Sequence, residues 1–252
     1  IISKQKIFQQ NAPVVIQKGC DNYCSYCIVP YVRGSEVSRP PQEILDEIRS
    51  LVDRGVKEVT LLGQNVNSYG AKSSPGITFA KLIETIAAQT GLKRLRFATS
   101  HPKDVSDALI EQFATNPILM PHFHLPAQCG SDRLLTMMNR GYTQADYLRI
   151  IDRVRAKAPA VRFSSDFIVG FPTESDKDFQ DTLALMTAVR FDQTFSFVYS
   201  PRPFTHAQNF FDDVSAVVKN ERLQILQHLD QQITLEQNQK EVGSTQDVLI
   251  ER

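Results

Sequence analysis

Between residues 14 and 199 the chain alternates short β-branched or apolar runs with segments whose apolar residues recur every three to four positions. Few folds suit that pattern. Residues 14–17 read as a strand that ends at Lys18-Gly19. Ile44, Ile48, Leu51 and Val52 share one face of a helix that opens at Pro40-Pro41 and stops at Gly55, since proline suits a first turn and glycine a C-terminal stop. A strand over 58–62 follows, then an amphipathic helix marked by Phe79, Leu82, Ile83, Ile86 and Ala87 and closed by Gly91. The series runs on through a strand at 92–98, a helix with Leu109, Ile110 and Phe113, and a strand at 122–125. Thr143 and Asp146 form a capping-box signature for a helix with Tyr147, Ile150, Ile151 and Val154 inward. A strand at 161–169, a helix capped by Ser175 and Asp178 with Phe179, Leu183 and Met186, and a strand at 193–199 complete it.

About six β-α repeats are the grammar of a parallel sheet covered by helices, as an open doubly wound sheet or a partial barrel. In either, chemistry gathers at the C-terminal ends of the strands. The unusual residues fall there: cysteines after the first strand, Gly63-Gln64-Asn65 after the second, and Ser100-His101-Pro102 after the third. Gln128, Gly170 and Tyr199 lie near the ends of later strands. That coincidence favours a barrel-type active-site face. His122 and His124 alternate onto one face of their strand and are expected to line the interior.

After Pro201 the grammar changes. Val218, Ile225, Leu229 and Ile233 form one stripe of a long helix expected to cover the barrel. Residues 245–251 read as the first strand of a further β domain, and 72–76 as a surface loop. Ile1-Ile2-Ser3-Lys4 is neither a signal peptide nor a natural start, so the chain reads as a fragment. Lys+Arg and Asp+Glu are both 28 among 252 residues. No global basic field therefore argues for nucleic acid, although a local patch could. No run of 18 apolar residues is present, so no membrane span is expected.

The four cysteines stand at 20, 24, 27 and 129. This is not the even, spread set of a secreted disulfide scaffold, and a reducing cytoplasmic compartment fits better. Cys20, Cys24 and Cys27 can each bind one iron of a 4Fe-4S cubane, soft thiolates suiting iron–sulfur chemistry. No fourth cysteine follows at matching spacing, which leaves one iron open to a small molecule, expected to be S-adenosylmethionine (SAM). A structural zinc site is the alternative, but it wants a fourth ligand, and His101, His122, His124 and Cys129 are far along the chain.

With these residues in view, the chain resembles the MiaB family of tRNA methylthiotransferases. The resemblance runs from Gly19-Cys20-Asp21-Asn22-Tyr23-Cys24-Ser25-Tyr26-Cys27 through Arg33-Gly34, Ser38-Arg39-Pro40 and Leu62-Gly63-Gln64-Asn65-Val66-Asn67. It continues with Ser100-His101-Pro102, His124-Leu125-Pro126, Gly130-Ser131-Asp132-Arg133 and Arg140-Gly141-Tyr142-Thr143. Ser165-Asp166-Phe167-Ile168-Val169-Gly170-Phe171-Pro172 and Tyr199-Ser200-Pro201-Arg202-Pro203 complete it.

The resemblance implies a radical SAM partial (β/α)6 barrel over residues 1–214, a linker and covering helix over 215–243, and the start of a truncated TRAM β domain over 244–252. The family's N-terminal methylthiotransferase domain, with its auxiliary 4Fe-4S cluster, is expected to be absent. The implied activity converts N6-isopentenyladenosine beside the anticodon of tRNA to its 2-methylthio derivative. It uses SAM, a 4Fe-4S cluster and an electron donor of flavodoxin or ferredoxin type. Relatives acting on threonylcarbamoyladenosine or on a ribosomal-protein side chain are alternatives, as is a non-catalytic iron–sulfur module that binds RNA.

By position at strand ends, Gly63, Gln64, Asn65, Ser100, Gln128, Arg140, Asp166 and Val169 are the SAM-binding candidates, with Tyr26 packing near the adenine. Gly63 permits close backbone approach to the methionyl amine, Arg140 can pair with a carboxylate, and Asp166 can accept from ribose hydroxyls. Arg33, Arg39 and Arg202 are candidate phosphate contacts. Two departures from the family pattern stand out. Cys129 replaces a serine, a mild change, and Phe204-Thr205-His206 replaces Gly-Thr-Pro, which alters the loop's backbone choices.

Overall fold

The computed structural model describes residues 10–72 and 76–250. The expected N-terminal tetrapeptide and most of the expected 72–76 loop lie outside them. In chain order the elements are β1 (Asn11–Val15), β2 (Gln17–Lys18), α1 (Val29–Arg33), β3 (Val37–Ser38), α2 (Pro41–Asp53), β4 (Glu58–Leu62), α3 (Phe79–Gln89) and β5 (Arg94–Phe97). There follow α4 (Asp107–Thr115), β6 (His122–His124), α5 (Asp132–Met137), α6 (Gln144–Lys157), β7 (Arg162–Val169), α7 (Asp176–Val189), β8 (Gln193–Val198) and α8 (Ala216–Glu241).

Two three-stranded parallel sheets carry the fold, β1-β4-β5 and β6-β7-β8. Register is set by pairs such as Val14 with Leu61, Leu61 with Phe97, and Asp166 with Phe195. A parallel bridge joins Leu95 of β5 to Leu119, in the segment that leads into β6. Packing reinforces that thin join. Phe97, Phe113, Phe123 and Phe163, from β5, α4, β6 and β7, form a chain of ring contacts with centroids 5.1–6.1 Å apart. Each buried ring contributes roughly 1.5–3 kcal/mol by burial alone, enough to tie the sheets where hydrogen bonds are few.

The helices form where the apolar spacing predicts. Ile44 and Ile48 of α2 and Leu82, Ile83 and Ile86 of α3 are fully buried. Both expected capping boxes close: Thr143 with Asp146 starts α6, and Ser175 with Asp178 starts α7. His122 and His124 flank the buried Phe123 on the other face of β6, and the burial of His122 lowers its pKa.

Three features depart from the sequence reading. A two-stranded antiparallel ribbon, β2 with β3, brackets the cysteine segment, and neither it nor α5 has a long enough run to leave a periodic signal. The stripe expected on α8 holds at Ile233, which is buried, and at Leu229, which packs on the core, but not at Ile225, which is half exposed while Leu226 is buried. Buried charges set that face. Arg222 pairs with Glu174 and Asp176 at 2.8 and 2.7 Å, and Lys219 with Asp212. Residues 244–250 form no strand and are largely exposed, so the strand expected at 245–251 is not made within the described residues.

Candidate cluster and cofactor site

The segment carrying the three cysteines has almost no regular structure, and distant backbone holds it in place. It begins at Gly19, where φ is +77° and a Cβ would sit 2.1 Å from the Ser35 carbonyl oxygen. Only glycine fits that turn. The Gly19 N–H donates to Gln64 Oε1 at 2.7 Å, and the Cys20 N–H to the Gly34 carbonyl at 3.1 Å. Farther along, the Ser25 N–H donates to the Met138 carbonyl at 3.0 Å, and Asn139 Nδ2 to the carbonyls of Asn22 and Tyr23. The end of α5 thereby latches the middle of the loop, while the Ala207 N–H reaches the Ser25 carbonyl from the far side.

Held this way, Cys20, Cys24 and Cys27 are all free thiols at one cavity of about 320 Å³. Cys20 and Cys24 are buried and Cys27 partly so. Burial pushes the Cys20 thiol up to about 11 and raises Cys27 as well, so binding any metal through these sulfurs would release protons. Among the described residues no three His, Cys, Asp or Glu side chains are placed to hold a single ion. A cubane asks for a wider triangle, one sulfur per iron.

Arg140 is the buried cation of this site. Its guanidinium donates to Cys24 Sγ at 3.2 Å, the Tyr26 hydroxyl at 3.4 Å, the Tyr142 hydroxyl at 2.9 Å and the Pro126 carbonyl at 2.8 Å. Burial opposes its charge, but Tyr142, Tyr26 and Cys24 surround it and keep it protonated.

Strand ends supply the rest of the wall. Gly63 and Gln64 follow β4, Ser100 follows β5, Gln128 follows β6, and Asp166 lies near the end of β7; with Tyr26 and Arg140 they line the same cavity. Gln128 has φ +73° and Thr99 φ +66°, left-handed conformations that cost energy in non-glycine residues and cluster at sites. Asp166 Oδ1 stands 3.6 Å from His124 Nε2.

Two sequence candidates are not brought to the cavity. Asn65 turns its side chain to Asp104, donating at 2.7 Å, and its carbonyl accepts from Gln17 and Ser68. Val169 lies on the same side of β7 as Phe163 and Phe167, buried in the core, because strand side chains alternate. Conversely, Asn22, Val29, Thr99, His101 and Pro126 line the cavity without having been singled out as contacts. Thr99 and His101 adjoin Ser100, and Asn22, Val29 and Pro126 stand two positions from Cys20, Cys27 and Gln128, the one signal that could have found them.

The remaining polar candidates separate. Arg39 is engaged by the Val15 carbonyl and Glu47, at 2.6 and 2.7 Å, whereas Arg33 and Arg202 are exposed. Cys129 is fully buried with Leu134, Leu135, Met138 and Phe171, away from the cavity, and burial pushes its thiol to about 12. Phe204 is 78% exposed with φ +66°, the backbone region that the glycine of the resembled family would occupy without strain. A larger cavity of about 470 Å³ lies beside Arg155, Arg162 and Arg190. Those arginines are already engaged by the Val189 carbonyl, Asp192, Glu241 and Glu236.

The sequence profile described as the radical SAM superfamily matches residues 14–186. The tRNA-2-methylthio-N(6)-dimethylallyladenosine synthase of Geobacter sulfurreducens is 56% identical over 238 residues, covering 94% of this chain and 53% of that protein. The synthase of the same name from Syntrophus aciditrophicus is 54% identical over 243 residues, 96% of this chain and 53% of its own length. The chain thus spans about half the length of the curated relatives it matches. Among solved structures, the radical S-adenosylmethionine methyltransferase TsrM of Kitasatospora setae superposes with TM-score 0.65 at 16% identity, over 79% of this chain and 38% of that one. Coproporphyrinogen III oxidase HemN of Escherichia coli, titled a radical SAM enzyme, does so with TM-score 0.63 at 15% identity, over 89% and 53%. No helix among the described residues is long and apolar enough to cross a membrane.

Proposed function

Because the chain belongs to the radical SAM superfamily, we propose that it is the radical-generating core of a cytoplasmic tRNA methylthiotransferase acting on N6-isopentenyladenosine, the activity its relatives' names carry. In this reading the two parallel sheets are the halves of a partial (β/α)6 barrel, with α8 laid across its β8 side. The observation that carries it is the convergence of three free cysteines and four strand-end polar residues, Gln64, Ser100, Gln128 and Asp166, on one cavity.

The residues fit the group they would hold. Cys20, Cys24 and Cys27 each offer a sulfur, and two buried polar atoms in the wall, Ser100 Oγ and His101 Nε2, lack any partner, as expected where a polar ligand completes them. When bound, the 4Fe-4S cluster supplies one electron that breaks a carbon–sulfur bond of SAM and yields a 5′-deoxyadenosyl radical. Gly63, Gln64, Ser100, Gln128, Arg140 and Asp166 would orient SAM, while Tyr26, Val29 and Pro126 keep water from the cysteines. Arg33 and Arg202, exposed near the cysteine loop and after β8, suit contacts to tRNA phosphates. A flavodoxin- or ferredoxin-type reductant would deliver the electron.

The test is anaerobic. The protein is reconstituted with iron and sulfide, then given SAM and dithionite, and 5′-deoxyadenosine is measured. A fully loaded sample that releases none, and whose cluster spectrum SAM does not alter, overturns the reading.

A further inference from the structure

Two arginines beside the cysteine segment pair with nothing, and exposed aromatic rings stand next to them. Among the arginines of the described residues, Arg33 and Arg202 alone have guanidiniums with no hydrogen bond or ion pair. Arg153, Arg162 and Arg190, by contrast, each meet a carboxylate. Near them in the chain, Tyr23 is 49% exposed, Tyr31 53% and Phe204 78%.

Tertiary contacts gather these residues at the cavity. The Ala207 N–H donates to the Ser25 carbonyl at 2.8 Å, joining the loop of Arg202 and Phe204 to the loop of Tyr23. Phe204 is three positions from Ala207, at most about 11 Å of chain, and Tyr23 is two from Ser25. Arg33 is drawn in through Gly34, whose carbonyl accepts from the Cys20 N–H at 3.1 Å. The Tyr23 ring meets Tyr31 edge-on at 6.2 Å between centroids. Cys20, Asn22, Cys24 and Tyr26, in the same segment, line the cavity.

Both rings are held outward at a cost. Tyr23 has φ +47° and Phe204 φ +66°, left-handed conformations that are outliers for bulky residues. Hydrogen bonds fix the turn that carries Phe204. Buried Thr205 donates through its N–H and hydroxyl to the Arg202 carbonyl at 3.3 and 2.7 Å, and the Phe204 N–H donates to Gln208 Oε1 at 3.1 Å. A glycine would make this turn without strain, and an exposed ring buries little within the fold. Its return must come from something that binds outside.

We propose that Tyr23 and Phe204 stack on unpaired bases of an RNA strand whose phosphates Arg33 and Arg202 hold, so that this rim grips single-stranded RNA beside the cavity. The inference rests on reading the chain as part of a tRNA-modifying enzyme and names the part of the RNA it grips, a loop and not a stem. Bases in a duplex keep their faces inside the stack, whereas unpaired bases offer them to aromatic side chains. An acidic peptide would satisfy the arginines but leave the rings in water. With Lys+Arg and Asp+Glu both 28, no global field attracts RNA, and the grip must be local.

The test is a fluorescence-anisotropy titration of the reconstituted protein, at one fixed salt concentration, with a hairpin RNA bearing an unpaired loop and with the blunt duplex of its stem. Phe204→Gly removes the ring and relaxes the backbone. It should weaken hairpin binding about fivefold or more, the worth of one base stacked on a ring, and leave the duplex within about twofold. Phe204→Trp should keep the wild-type affinity, and Phe204→Leu, apolar without a ring face, should not. Arg202→Gln should weaken both RNAs alike, as loss of a phosphate contact does. Equal losses of Phe204→Gly on both RNAs, no loss on either, or wild-type affinity in Phe204→Leu overturns the proposal. Wild-type protein that prefers the duplex, or binds neither RNA, overturns it too. So does self-association that Phe204→Gly abolishes while RNA affinity stays, which would make the rim an interface between copies. Should the Phe204 variants not fold, Tyr23→Leu reads the same contrast. Release of 5′-deoxyadenosine by the wild-type protein is measured separately: its absence rejects the radical core, whereas its presence beside a failed hairpin contrast rejects the stacking rim alone.

Discussion

The side-chain amide of Asn67 clasps the peptide of His101, donating to its carbonyl at 2.8 Å and accepting from its N–H at 2.9 Å. These residues lie 34 apart in sequence, after β4 and after β5, and the clasp does for two loops what ladder pairing does for two strands. The Val66 N–H adds a bond to the Thr99 carbonyl at 2.9 Å. Asn67→Leu keeps the volume and removes both bonds. It should cost about 1–3 kcal/mol for each buried backbone group left unpaired, measured by urea denaturation, and should loosen ligand binding in proportion.

Gly19→Ala should be among the most damaging small changes in the chain. The added methyl would meet the Ser35 carbonyl at 2.1 Å with φ at +77°, so β2 and the cysteine loop must part from the residues around Ser35. A loss of about 1–3 kcal/mol or more is expected from overpacking and strain. Iron bound per chain after reconstitution, together with the thermal midpoint, reads both effects.

Arg140→Met removes the cation beside Cys24. The Pro126 carbonyl and Cys24 sulfur lose a donor, which should lower stability by about 1–3 kcal/mol. A hydrogen bond and positive charge at a cluster sulfur favour the reduced, more negative state. The reconstituted variant should therefore show a more negative cluster potential than wild type in an anaerobic redox titration; an unchanged potential would mean that this contact does not tune the cluster.

Asp178 joins α5 to α7 and governs an acid-sensitive part of stability. Burial would raise its carboxyl, but Arg133, Ser131 and Ser175 donate to it and hold it well below the ordinary carboxylate range. Its folded pKa is thus depressed relative to the unfolded chain. The stabilisation is complete above the unfolded value of about 4 and is lost as pH falls below it. Asp178→Asn should be less stable than wild type at pH 7, and the gap should narrow on acidification from about pH 4 toward pH 2, as thermal midpoints across that range would show.

Cys129→Ser should separate packing from ligation. The thiol is fully buried in the cluster with Phe171 and Leu134, and the nearest acceptor, the Ser131 carbonyl, stands at 3.7 Å. A hydroxyl there should cost about 1–3 kcal/mol as a poorly paired polar group. Iron content and cluster absorption should stay at the wild-type level. A loss of iron without a loss of stability would make Cys129 a ligand.

The alternation of apolar runs was sufficient to locate nearly every strand and long helix, since burial on one face imposes a period of 2 or 3.6 on any chain that folds this way. Both capping boxes were legible for the same local reason. The inward turn of Leu226 in place of Ile225 on α8 was not, because the ion pairs of Arg222 with Glu174 and Asp176 and of Lys219 with Asp212 bear on which face turns inward, and hydropathy counts charges as outward. Val169 and Asn65 illustrate a finer limit. Both sit near strand ends, but alternation along β7 turns one into the core, and Asp104, 39 positions away, claims the other.

By itself, the sequence determined the element order, the three thiols in one short segment and the places where strands end, because each depends on neighbours within a few residues. Only the tertiary structure decided that Arg140 faces Cys24 and that Asn67 clasps His101, whose Nε2 is left without a partner. Those facts depend on contacts between segments 34 to 116 positions apart, and on burial that no local pattern encodes.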